Sequence, residues 1–206
     1  MQPVLEIRTP DGFTLWPTGA HKPYEFLVLD GTLTPEEVGT AVWLLAATND
    51  VDPEEGEDRG PRPDDPLGAL LHGLLTMEYL FAPGGFRVTD TTTGAVLEPG
   101  CCNGLEEWRD WLEVTDGCGE AGFGHDPDAG AERLGRVVRL TADTSEANSP
   151  VIELPVEELR RLIAGAEQDL RDFVRLAGGW AELQLPERGA AVTAALARAL
   201  DLEDPA

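Results

Sequence analysis

The chain has 206 residues, 42% hydrophobic and 26% charged. These ordinary globular proportions predict one packed domain over 1–206. Against 15 Lys and Arg stand 39 Asp and Glu, a formal net charge of -24, which repels phosphate backbones and anionic lipid and attracts cations and basic proteins. Direct nucleic-acid binding is thereby disfavoured, because that affinity comes mainly from Lys and Arg neutralising phosphates.

Lys22 is the only lysine, and Ser145 and Ser149 are the only serines. Neither serine lies in a Gly-x-Ser-x-Gly pattern, which argues against serine hydrolase chemistry. The start, Met1 to Arg8, has no basic segment followed by an apolar run of export-signal length. No apolar run approaches the roughly 20 residues that span a bilayer, so no membrane association and a cytoplasmic location are expected. Three cysteines, an odd number, suit a reducing compartment.

In chain order, Val4 to Arg8 and Phe13 to Trp16 read as a hairpin turning through Thr9-Pro10-Asp11-Gly12. The apolar run Tyr24 to Leu29 predicts a strand covered on both faces. Thr34-Pro35-Glu36-Glu37 predicts a helix start with a capping box, followed by the stripe Val38, Ala41, Val42 and Leu45. Residues 48–66 turn acidic and proline-rich with little large apolar surface, a composition that predicts a mobile loop. Leu67, Leu70, Leu71, Leu74 and Leu75 predict a helix from about Leu67 to Phe81, stopped by Pro83-Gly84-Gly85.

A second hairpin is expected from Phe86 to Asp90 and Ala95 to Glu98. Asn103 is placed to cap a short helix that points Leu105, Trp108, Trp111 and Leu112 inward, with Glu106 at the capping-box position. Asp116 to Gly135 reads as a glycine-rich acidic loop. Arg136 to Ala142 and Val151 to Leu154 supply a third hairpin. Val156, Leu159, Leu162, Ile163, Ala166, Leu170, Phe173 and Val174 trace a long helix that Gly178-Gly179 should end. An alanine-rich helix, Ala190 to Leu200, precedes a frayed tail over 201–206. The expected fold is α+β: an antiparallel or mixed sheet built from three hairpins, packed against several helices.

Three groups of residues bear on function. The string Gly117-Cys118-Gly119-Glu120-Ala121-Gly122 matches Gly-x-Gly-x-x-Gly, but the residues after it form a poor helix containing Pro127, with no Lys or Arg before Arg133. A dinucleotide's phosphates would meet only carboxylates there, which argues against that cofactor. Cys101, Cys102, Cys118 and His125 offer three thiolates and an imidazole for zinc. Carboxylates around them, Asp126 and Asp128 among them, offer hard oxygens for calcium, without the spacing of a calcium loop. The same residues also read as a solvated acidic loop with idle thiols. Cys101 or Cys102 with His125 is a candidate nucleophile pair.

The third group is Glu106, Glu107, Trp108, Asp110, Trp111 and Glu113. It reads either as core tryptophans on an acidic helix or as anchors presented to a basic protein partner. The leading expectation for function is an acidic interaction protein that docks a basic partner, as an immunity-like inhibitor or a nucleic-acid mimic would. The alternative is a metal-dependent enzyme or metal-stabilised binding module built on Cys101 to Glu132.

Overall fold

A computed structural model describes residues 1–9, 12–54, 58–117 and 119–202. Among these residues the architecture is α+β, with two four-stranded antiparallel sheets and five α-helices. The first sheet has the order β2-β1-β3-β4, from β1 (Gln2–Glu6), β2 (Phe26–Val28), β3 (Gly84–Thr89) and β4 (Val96–Leu97). The second runs in sequence order: β5 (Glu120–Gly122), β6 (Gly130–Leu134), β7 (Val137–Thr141) and β8 (Val151–Pro155). The helices are α1 (Pro35–Thr48), α2 (Pro66–Thr76), α3 (Asp110–Asp116), α4 (Val156–Gln184) and α5 (Gly189–Ala199). Among the described residues, no helix is long and apolar enough to cross a membrane.

The second and third hairpins form as expected, in β3–β4 and β7–β8. The first does not. β1 pairs with β2 and β3, and Phe13 to Trp16 forms no strand. That segment is held on α1 instead: the Trp16 indole donates to the Gly39 carbonyl at 2.8 Å, and Gly19 N–H donates to Thr40 Oγ1. Gly39 makes the approach possible, since a Cβ there would stand 2.2 Å from Pro17 O. Of the expected turn, Pro10 and Asp11 lie outside the described residues. β2 is shorter than the apolar run suggested, and at the sheet edge it buries Leu27 while Tyr24 is exposed.

α1 opens as the sequence predicts, with a complete Thr34–Glu37 capping box. α2 stops at Thr76 rather than Phe81. Phe81 is held outside it: the buried Asn49 amide accepts from Phe81 N–H and donates to Phe81 O, both at 2.9 Å, so these two backbone groups are satisfied without a helix. Gly84 and Gly85 belong to β3. In the acidic connection between α1 and α2, Arg62 pairs with Asp50 and Asp52, and His72 Nε2 lies 2.9 Å from Gly60 O. Residues 55–57 lie outside the described part.

The region from Asp116 to Gly135 is not one loop, for it contributes β5 and β6 to the second sheet. Register with β7 makes strands of this glycine-rich sequence: Ala131 pairs with Leu140 and Arg133 with Val138. α4 likewise runs through Gly178-Gly179 to Gln184. Two helical glycines cost about 1 kcal/mol each relative to alanine, but burial of Ala177, Trp180 and Ala181 and the packing of α5 across this turn outweigh that cost. Pro186 follows the end.

Val156, Leu159, Ile163, Ala166, Leu170, Phe173, Ala177 and Trp180 form the buried stripe of α4. It packs against β1, β7, β8, α1, α3 and α5, so both sheets share one continuous apolar core through it. Of the tail, Leu202 is buried and Asp201 pairs with Arg109. Residues 203–206 lie outside the described part.

Candidate functional site

Continuation of α4 past its glycines creates a surface feature that the sequence reading missed. Leu176, Trp180 and Leu183 fall on one face of the helix, beside Asp169 and Asp172 of the preceding turns. Opposite them stand the β2–α1 connection, with Asp30, Thr32 and Leu33, and the first turn of α1, with Pro35 and Val38. The two walls enclose a groove of about 970 Å³. Its floor is apolar, and Leu183 lies 81% exposed along it.

The rim is acidic. Asp30 accepts from Thr32 N–H and Oγ1, each at 2.7 Å, which orders the turn. Asp172 accepts from Gln168 Nε2 and from Arg175, the cation on this wall. Burial, and then the charges of Asp30 and Asp172, raise the Asp169 carboxyl above its ordinary value. The nearby amino group of Met1 opposes that rise. Elsewhere several arginines are paired: Arg139 with Glu153, Arg160 with Asp116 and Glu157, Arg161 with Glu158, Arg171 with Glu167 and Arg188 with Asp65.

The acidic helix expected after Asn103 is a 3-10 turn (Leu105–Glu107) followed by α3. Asn103 does not cap it, for its buried amide donates to Gly84 O and ties the turn to β3. Trp108 and Trp111 are each 2% exposed, which selects the core reading over surface anchors. The Trp108 indole donates to Leu200 O, and Trp111 stacks on Phe123. Glu106 is half-buried and accepts from Ala82 N–H, and burial first of all raises its carboxyl above the usual range. Glu107, Asp110 and Glu113 face solvent.

Among the proposed metal ligands, the fold gathers Cys101, Cys102 and His125 on the surface, with donor atoms within 4.8 Å of one another. Cys101 and His125 form an antiparallel bridge, each peptide N–H donating to the other's carbonyl. Gly100 and Gly124 permit this closeness: a Cβ on Gly100 would come 2.6 Å from His125 N, and one on Gly124 2.6 Å from Cys101 O. Asp126 Oδ2 stands 3.4 Å from His125 Nδ1. Asp128 is turned to the Thr144 hydroxyl instead. Cys118 lies outside the described residues. The Cys101 thiol is raised above its ordinary value, first by its hydrogen bond with Cys102 and then by that neighbour's charge. A raised thiol pKa leaves little thiolate at neutral pH, which weighs against Cys101 as the nucleophile. The Gly-x-Gly-x-x-Gly string runs into β5 rather than opening a helix, so it lacks the amide cradle that pyrophosphate requires.

Fold and surface thus define a two-sheet α+β chain of high negative charge with an apolar, acid-rimmed groove on its longest helix. No family model, no curated protein and no solved structure matches it.

Proposed function

We propose that the chain is a docking protein for a basic partner, and that the groove between α4 and the β2–α1 connection receives an amphipathic segment of that partner. The supporting observation is the pairing of an apolar floor with an aspartate rim: Leu176, Trp180 and Leu183 beside Asp30, Asp169 and Asp172. A helix whose apolar side carries leucine-like anchors and whose flanks carry Lys or Arg complements both features. The net charge of -24 would steer such a partner at long range, and the groove would supply the apolar burial that holds it.

The test uses a synthetic helical peptide of leucines and lysines, with a glutamate version of the same apolar face as its control. Calorimetry at low and at high salt should show binding of the lysine peptide, weakened by salt, and none of the glutamate peptide. The triple change D30N, D169N and D172N should weaken binding about tenfold or more, mainly through the on-rate and salt dependence. Neutralising Asp58, Asp64 and Glu146, exposed elsewhere, should change it little. L183D should abolish binding. Equal loss from both triple variants would mean that bulk charge alone attracts the peptide and that the groove has no docking role.

A further inference from the structure

Successive residues of an extended chain point to opposite faces, so adjacent cysteines make a poor chelating pair unless the backbone turns between them. At Cys102 it does turn, with φ of +63°, and Cys101 Sγ and Cys102 Sγ stand 3.6 Å apart. Two thiolates on a tetrahedral ion with metal–sulfur bonds of about 2.3 Å lie about 3.8 Å apart. The two sulfurs therefore already span close to one edge of such a site. A third donor arrives from across the Cys101–His125 bridge, which brings the imidazole within 4.8 Å of both thiols. The carboxylate of Asp126, 3.4 Å from His125 Nδ1, is of the kind that orients a ligating imidazole.

From this geometry we infer that Cys101, Cys102 and His125 form a binding site for a thiophilic d10 cation of the zinc type, with its fourth coordination position open to solvent. The donor set selects the ion. Two sulfurs and a nitrogen suit zinc and disfavour calcium or magnesium, which need rings of oxygens. Among the described residues, no three carboxylates come together as these side chains do. An open fourth position is the mark of a site that binds a further ligand rather than a closed structural one. The three side chains are exposed, so the ion has free access. This site is separate from the groove and does not depend on its role.

The test is a titration of the full, reduced chain with cobalt(II), followed by absorbance. Near-ultraviolet thiolate-to-cobalt charge transfer and visible bands of tetrahedral coordination should appear, saturate at one ion per chain and vanish on addition of zinc. C101S and C102S should each lower the charge-transfer band. H125A should weaken cobalt affinity about tenfold or more, and D126N by a smaller factor, as losses of ligand and of outer-sphere support do. All four positions are exposed, so melting temperatures without metal should match the parent chain. Absence of the charge-transfer band, its persistence at full strength in the C101S/C102S double variant, or displacement by calcium instead of zinc would overturn the assignment.

Discussion

The indole of Trp111 lies face to face on the ring of Phe123, with centroids 3.9 Å apart and planes 6° from parallel. This stack joins α3 to the chain leaving β5, two residues before His125. Phe123 also accepts from Gly100 N–H at 2.8 Å, so one aromatic contact helps hold both sides of the Cys101–His125 bridge. Core packing and the thiol cluster are therefore linked through neighbouring residues.

Truncation of this stack should be costly. W111A removes a fully enclosed indole, and large-to-small aromatic changes in cores cost about 3–5 kcal/mol. Urea unfolding would measure the loss. A cost below about 1 kcal/mol would show that the site refills and that Trp111 anchors little.

Glu106 predicts a pH dependence with a definite sign. Its folded-state pKa is raised above the ordinary 4.5, chiefly by burial, with Glu107's charge adding and the Ala82 amide opposing. The folded state then holds the proton more tightly than the unfolded one. Stability from this group is full below pH 4.5 and is lost as pH rises through the folded value. E106Q stays neutral and retains an oxygen for Ala82 N–H, so its melting temperature relative to the parent should rise between acid and neutral pH. A difference that stays flat across that range would contradict the burial effect.

Asn49 is 2% exposed and partners both backbone groups of Phe81, its N–H and its carbonyl. N49A should cost about 1–3 kcal/mol, the penalty for leaving buried polar groups unpaired. Chemical denaturation checks this. Hydrogen exchange at the Phe81 amide should quicken in the same variant, and an unchanged rate would place the protection elsewhere.

Gly39 tests why the segment around Trp16 leaves the sheet. In an ordinary helix interior, Gly to Ala stabilises by up to about 1 kcal/mol. Here the added Cβ would press on Pro17 O at 2.2 Å. G39A should therefore destabilise, by about 1–3 kcal/mol as overpacking does, and shift Trp16 fluorescence. Stabilisation would mean that the 16–19 segment can move off α1 freely.

Features carried by neighbouring residues were legible in the sequence: the Thr34–Glu37 cap, the stripe of α4 and the hairpins β3–β4 and β7–β8. Each expresses a local signal, a capping pair, a helical period or a turn between alternating runs. Elements sustained by distant partners were not. β5 and β6 look like loop because glycines and carboxylates mask their alternation, and pairing of β6 with β7 and of β5 with β6 makes them strands. Gly178-Gly179 looked like a helix end, and that expectation hid the groove that Trp180 and Leu183 complete.

The amino-acid sequence alone determined the α+β class, the excess of negative charge and the inventory of thiols, imidazoles and carboxylates, since these follow from composition and short-range pattern. Tertiary structure decided which of them meet. It buried Trp108 and Trp111, turned Asp128 away to Thr144, and brought His125 to the two thiols. The physical reason is that local dihedral preferences act over a few residues, whereas contacts between distant segments depend on burying one shared core around α4.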